Sequence, residues 1–300
     1  MEKYSNYVCC FGEILWDLLP SGRMPGGAPM NVAIHLKNLG MEVACITKVG
    51  NDSLGDELKH FLKSKGCPDT WVQTDTDHPT GTVKVNISDR TNVQYEIVQP
   101  VAWDYIIASS EALEVTKNAY ALVFGTLACR DHQSKEALFK LLENSKGVKI
   151  FDVNLRAPHY SKKLIESLML KADIVKMNED ELNIVHGGLD STSASLDQKT
   201  KDIKSRFSLK KVIVTRGGDG ALLLDENGIH SSKVYKVKVK DTIGSGDSFL
   251  AGMIKNFYLN SLPEKALNYS CALGALVAQH HGANPSIKES EILELMEIRS

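Results

Sequence analysis

The run Asp241-Thr-Ile-Gly-Ser-Gly-Asp247 holds the residue types and spacing in this chain best suited to chemistry. It leads into Ser-Phe-Leu-Ala-Gly-Met-Ile-Lys-Asn-Phe, where Phe249, Leu250, Met253, Ile254 and Phe257 recur at three- and four-residue spacing, the pattern of a buried helix face. A glycine loop therefore opens directly into a helix. Glycine lets the backbone approach a ligand closely, and the first N–H groups of a helix have no partner within it. With the helix dipole they form a seat for an anion. A phosphate repels a carboxylate placed there unless the carboxylate has a task. Taking the proton from a hydroxyl that attacks phosphorus is such a task for Asp247. The competing reading is an ordinary capped helix start, where Asp is common.

Three other glycine motifs fail on spelling. A Walker loop needs a Lys after Gly246, a hydrolase elbow needs Gly where Ile243 stands, and a dinucleotide fingerprint would follow the first strand, which offers only Gly12.

The elements that must position this loop alternate. Residues 7–19 read as a strand interrupted by Asp17, and Gly26-Gly27-Ala-Pro-Met-Asn31-Val-Ala33 as a second glycine loop opening a helix that Gly40 ends. Residues 43–49 read as a buried strand and 56–64 as an amphipathic helix. Further on, 119–124, 148–153, 172–177 and 211–215 read as strands, and 132–144, 161–170, 179–186 and 196–206 as helices. The chain beyond 245 is mostly helical. Such alternation predicts an α/β domain with a mostly parallel sheet covered by helices on both faces. Residues 80–101 break the rhythm. Val83, Val85, Ile87, Val93, Tyr95 and Ile97 alternate with period two around Ser88-Asp-Arg-Thr-Asn92, which predicts a hairpin without a helix: a flap over a ligand or a surface decoration.

Ligands of open parallel sheets bind beyond the carboxyl ends of the strands. After Phe151 come Asp152, Asn154 and Arg156; after Met177, Asn178 to Glu181; after Val214, Thr215-Arg-Gly-Gly-Asp-Gly220. A fourth strand, read at 233–239, precedes the Asp241–Asp247 loop. Turn residues are usual at any one strand end. Four such clusters together favour a nucleotide-phosphate site.

Composition narrows the partners. The chain has 300 residues, 43% of them apolar, enough for a packed core, and a formal net charge of −2, which disfavours nucleic acid and anionic membrane. Its six cysteines form no Cys-x-x-Cys pair, and no apolar run approaches a membrane span. Reduced thiols and the lack of a signal-like N-terminus predict a cytoplasmic protein.

Four of these motifs resemble the ribokinase-like (PfkB) carbohydrate kinases, in the family's order and at fitting distances. They are Gly26–Ala33, Asn178-Glu-Asp-Glu181, Thr215–Gly220 and Asp241–Asp247. Within the family, Gly12-Glu-Ile-Leu-Trp-Asp17-Leu-Leu-Pro, Val101-Ala-Trp-Asp104 and Phe151-Asp-Val-Asn-Leu-Arg156 look most like fructokinases, although Val153 stands where many of these carry Pro. The resemblance implies a single ribokinase-like domain over 1–300, with a small β lid contributed by about 14–25 and 80–104. It implies an ATP- and Mg²⁺-dependent sugar kinase, with fructose the first candidate acceptor and 2-keto-3-deoxygluconate, ribose or a nucleoside the alternatives. A catalytically silent sugar-binding regulator is the alternative of another class.

By the same resemblance Asp247 is the base, and Gly244, Ser245 and Gly246 form an anion hole, to which the Ser245 hydroxyl adds a donor. Asp17, Gly27, Asn31 and Arg156 bind sugar; Asn178, Thr215, Gly217 and Gly220 bind the nucleotide; Glu181 organises Mg²⁺ through water. Asp241, Ile243, Val277, His280, Gly282 and Ser286 fall where some relatives hold a monovalent cation such as K⁺. The lid is a candidate surface for a homodimer. Plainer readings stand beside these: Asp17 as a turn carboxylate, Arg156 paired with an acid, His280-His281 as surface residues and Cys271 as a core residue.

Overall fold

Alternating strand and helix signals give two sheets in the computed structural model, which describes residues 5–19, 22–89, 92–187 and 194–297. The larger sheet has nine strands. Across it the order is Ile229–Ser231, Ala221–Leu224, Lys211–Thr215, Ile174–Asn178, Val148–Asp152, Ala121–Gly125, Tyr7–Phe11, Glu42–Gly50 and Val72–Asp75. From Lys211–Thr215 to Val72–Asp75 every neighbour is parallel, and the two strands at the other edge are antiparallel.

Period-two alternation explains why both faces are covered. Val8 and Cys10 of the central strand enter one apolar cluster, and Cys9 and Phe11 enter the other. Ala121 and Val123 next to it divide from Leu122 and Phe124 in the same way. Helices Ala28–Asn38, Ser245–Tyr258 and Pro263–Val277 cover the first face, with Ile34, Leu250, Ile254 and Leu267 fully buried. Helices His132–Asn144, Lys162–Met169, Glu179–His186 and Leu196–Arg206 cover the second. Truncating a Leu or Ile to Ala at such positions costs about 2–5 kcal/mol, so the two helices that begin with glycine loops are firmly seated.

The second sheet has four strands in the order Gly22–Gly26, Leu15–Leu19, Gly81–Asp89 and Asn92–Ile97. Its central pair is parallel, with Leu15 opposite Gly81, and both outer pairs are antiparallel. Residues 90 and 91 of the expected hairpin turn, and 20 and 21 of the first lid segment, lie outside the described residues.

Several expected elements differ. Residues 7–19 are two strands in two sheets, because the chain leaves the large sheet after Phe11. Residues 233–239 belong to neither sheet: Ile229–Ser231 already forms the edge, and the Lys-Val run is mostly exposed, with Tyr235 buried and Val237 half-buried. Val101–Asp104, placed in the lid from the sequence, packs into the core, where Val101, Ala102 and Trp103 are fully buried. Strands Val72–Asp75, Ala221–Leu224 and Ile229–Ser231 were not expected; they are short and lie at or near the sheet edges. Among the described residues no helix is long and apolar enough to cross a membrane.

Candidate active site

The carboxyl ends of the parallel strands and the second sheet enclose a cavity of about 760 Å³. The helix Ser245–Tyr258 points its start into it. Its cap, Gly244, has φ 76°, and a Cβ there would lie 2.6 Å from Ala283, so glycine alone fits both the left-handed backbone and the contact. No side chain caps this helix, which leaves first-turn N–H groups to a ligand. Gly27 plays the same part for the helix Ala28–Asn38: φ is 118°, and a Cβ would collide with the Glu13 carbonyl oxygen.

Asp247, in the first turn of the Ser245–Tyr258 helix, is half-buried beside the cavity, and its Oδ2 accepts a hydrogen bond from Asn31 Nδ2 at 2.8 Å. Burial raises its carboxyl above the ordinary range, although Lys176, the Asn31 amide and Arg156 each pull it back.

Lys176 supplies a buried positive charge that acts on Asp247. It is 6% exposed, stands opposite Asp152 in the parallel ladder, and donates to both Asp152 oxygens at 3.0 and 3.1 Å. Burial alone would push this ammonium down, but Asp152, Glu181 and Asp247 outweigh it and keep Lys176 protonated. A Cβ on Gly246 would stand 3.3 Å from Lys176 Nζ, which places the ammonium against the first turn of the Ser245–Tyr258 helix.

On the next strand end, Asn178 and Glu181 close a reciprocal cap. Asn178 Oδ1 accepts from the Glu181 N–H, and Glu181 Oε2 from the Asn178 N–H, each at 2.8 Å. Glu181 Oε1 accepts the Leu155 N–H at 2.8 Å. Both carboxylate oxygens thus hold backbone and retain a lone pair for water. That suits an outer-sphere contact to a hydrated divalent ion, and among the described residues no group of three His, Cys, Asp or Glu is poised to hold a metal directly.

Two more carboxylates complete the cavity. Glu13 is 4% exposed, and its Oε2 has no hydrogen-bond partner among the described residues. Burial pushes its carboxyl up to about 7. Asp17, on lid strand Leu15–Leu19, is pushed up to about 6 by burial, with Arg156 opposing.

Comparison with known proteins assigns the family. The model for pfkB family carbohydrate kinases matches residues 21–290. The chain belongs to this family. It is 29% identical to a probable chloroplastic fructokinase-6 of Arabidopsis thaliana, over 96% of this chain and 81% of that protein. It is also 29% identical to fructokinase-1 of Oryza sativa subsp. japonica, over 99% of both. The fold matches a Xylella fastidiosa fructokinase crystallised with ATP, at TM-score 0.88 and 20% identity over 98% of this chain and 99% of that one. It likewise matches a Vibrio cholerae O395 fructokinase with fructose, ADP and calcium bound, at TM-score 0.83 and 23% identity over 97% and 99%.

In this carbohydrate kinase the cavity gathers most of the residues expected from the sequence. Asp17, Gly27, Asn31 and Arg156 line it together with Asn178, Glu181 and Thr215; so do Ile243, Gly244, Gly246, Asp247 and Gly282. Ser245 does not. Its hydroxyl donates to Gly274 O at 3.0 Å and its N–H to Thr242 O at 3.2 Å, so the expected hydroxyl donor beside the phosphate is spent on the neighbouring helix. Gly217 and Gly220 sit in the turn after Thr215, outside the lining.

Of the expected cation set, Asp241 is tied to the N–H groups of Ile243 and Gly282 at 3.0 and 3.1 Å. The Val277 carbonyl already accepts the His280 N–H, and Ser286 lies outside the cavity lining. The sequence motifs omit Glu13 and Lys176 as site residues, and they place Asp152 in a strand-end cluster without a role of its own. The available signal for Lys176 was a charge inside a strand otherwise buried from Ile174 to Met177, since lysine is almost never fully buried unless paired.

Proposed function

We propose that this kinase transfers the γ-phosphoryl group of ATP to fructose, giving fructose 6-phosphate, with Mg²⁺ as the divalent ion. The observation that carries the reading is Asp247 at the open start of the Ser245–Tyr258 helix, one oxygen held by Asn31 and the other taking no hydrogen bond from the described residues. A pure sugar binder would gain nothing from that carboxylate. Fructose is chosen because the plant relatives are fructokinases and because the segments 12–20 and 151–156 resemble theirs.

The step would run as follows. Asp247 takes the proton of the acceptor hydroxyl while the hydroxyl oxygen bonds to the γ-phosphorus. The bond from that phosphorus to the β-bridging oxygen breaks, and ADP leaves with the electron pair. The proton on Asp247 then passes to solvent. Gly244 and Gly246 line the place where the phosphoryl oxygens gather charge, and Lys176 adds a fixed cation there. Bound Mg²⁺ would neutralise phosphate oxygens; Asn178 and Glu181 would hold it through water.

Thr215, Gly217 and Gly220 would cradle the nucleotide, and Asp241, Ile243, Val277, His280, Gly282 and Ser286 a K⁺ ion. Asp17, Gly27, Asn31 and Arg156 would meet the sugar. Leu15, Leu19, Val83 and Ile97 of the second sheet line the same cavity, so the sheet would act as a lid that excludes water, a competing acceptor. Residues 1–300 would form one kinase domain working in the cytoplasm, with the outer lid as the surface for a second copy.

A coupled kinase assay over a dozen sugars tests it. Fructose should give the highest kcat/KM; a clear preference for ribose, a sugar acid or a nucleoside overturns the acceptor and leaves the kinase.

A further inference from the structure

Asn284 lies outside every motif singled out in the sequence, yet it touches the residue that holds the base. Asn284 Nδ2 donates to Asn31 Oδ1 at 2.8 Å, and Asn31 Nδ2 donates to Asp247 Oδ2 at 2.8 Å. The amide of Asn31 is thereby oriented from both ends. An amide can present either its carbonyl or its NH₂ to a neighbour, and only NH₂ stabilises a carboxylate. With its oxygen engaged by Asn284, Asn31 turns its NH₂ to Asp247. Turned the other way, it would set oxygen against oxygen.

Asn284 is itself held in place. Its backbone carbonyl oxygen accepts Lys65 Nζ at 3.0 Å, and the preceding backbone carbonyl, of Ala283, bonds His35 Nε2 at 2.8 Å. His35 lies one helical turn beyond Asn31 on the helix Ala28–Asn38, so one helix face grips two successive residues of the loop. Ala283 also packs against Gly244 at the cap of the Ser245–Tyr258 helix. Asn31 is 4% exposed, so the relay is shielded from competing water.

We propose that Asn284 is a positioning residue for phosphoryl transfer: by fixing the Asn31 amide it keeps a donor on Asp247 and so keeps the base ionised. This rests on Asp247 being the base. The other groups acting on Asp247 are Lys176 and Arg156, which favour its charged form, and Glu13 and Asp152, which share its field as carboxylates. None of these touches Asn284 among the described contacts, so a change at 284 reports on the amide relay rather than on them.

The test is the pH profile of kcat/KM with fructose and MgATP, for wild type, Asn284→Asp, Asn284→Leu and Asp247→Asn, with thermal melting to show folding. A carboxylate at 284 accepts where Asn284 donated, draws the Asn31 NH₂ to itself and turns oxygen towards Asp247. The acidic limb of Asn284→Asp should move up by about one to two pH units, the worth of a lost charge-assisted hydrogen bond. Below the wild-type midpoint its activity should fall by about ten- to a hundredfold, and the loss should vanish as pH rises past the shifted limb. Asn284→Leu, which frees the amide without reversing it, should move the limb the same way by less.

A folded Asn284→Asp with an unmoved limb, or a loss uniform across pH, overturns the relay. If Asn284→Asp does not fold, an unmoved limb in Asn284→Leu overturns it equally. Asp247→Asn separates the two readings: if the limb survives in that variant, the base assignment has failed and the relay falls with it.

Discussion

The two walls of the cavity are built differently. The floor, at the strand ends and helix starts of the large sheet, consists of polar groups that hold one another: Asn31 on Asp247, Lys176 on Asp152, Asn178 on Glu181. The roof, from the second sheet, offers Leu15, Leu19, Val83 and Ile97 with one carboxylate, Asp17, which takes no hydrogen bond from the described residues. A floor whose donors are already aimed suits the chemical step, where preorganised charge is worth most. A roof of apolar side chains with one unfilled acceptor would gain its partners on sugar binding under the proposed function. Changes in the floor should therefore appear in kcat or in stability, and changes in the roof in sugar affinity and mobility.

The sharpest break of that contrast is Asp247→Asn. It should lower kcat by about 10²–10⁴ or more and alter sugar KM far less. Near wild-type kcat in a folded variant would remove the base from the mechanism.

Next in size is a stability effect in the floor. Glu13 sits at about 7 when folded against a reference value of 4.5. The folded protein binds the extra proton between these values, so stability declines as pH rises through that window, by about 3 kcal/mol once above it. Glu13→Gln removes this titration and should raise Tm by roughly 5 °C at pH 8 while leaving it almost unchanged near pH 4.5. A Tm difference that does not grow with pH would mean that the folded site leaves Glu13 at an ordinary value.

In the roof, Asp17→Asn exchanges a charged acceptor for a neutral one. It should raise sugar KM by about ten- to a hundredfold and leave ATP KM nearly unchanged. If kcat falls instead, Asp17 belongs with the floor.

The smallest effect is a change in dynamics. Hydrogen exchange across the second-sheet strands, 15–19, 22–26, 81–89 and 92–97, should slow severalfold with saturating sugar, while the central strands of the large sheet hardly change. Equal slowing in both sheets would erase the distinction between a fixed floor and a closing roof.

What could be read from the sequence follows the same division. The glycine loops at Gly27 and Gly244, the Asn178–Glu181 cap and Asp247 are unusual residue types at strand ends, so local pattern exposed them. Lys176 was hidden because it lies in a strand buried on both faces, where one charge interrupts an apolar run without revealing its partner. Asn284 and Asn31 lie on opposite sides of the chain's length, and only the packing of the Ala28–Asn38 helix against the 283–284 loop brings them together. For Ser245 the spacing was right and the direction wrong: a residue at a helix start can face ligand or neighbour, and the Gly274 carbonyl claimed its hydroxyl. The segment 233–239 had strand composition but lay beyond an edge already formed by Ile229–Ser231.

The parallel pairing of Leu15 with Gly81 has a consequence for synthesis. Between those two strands lie the helix Ala28–Asn38, the strand Glu42–Gly50, the helix Ser53–Ser64 and the strand Val72–Asp75. The central ladder of the lid therefore closes a long loop, an entropic cost that falls due before its first hydrogen bond forms. As the chain leaves the ribosome, Leu15–Leu19 and Gly22–Gly26 can pair with each other at once, but one edge of Leu15–Leu19 stays open until Gly81–Asp89 arrives. An open edge is a template for other strands. The growing chain is thus most exposed to wrong pairing in the interval between making its first lid strands and its third.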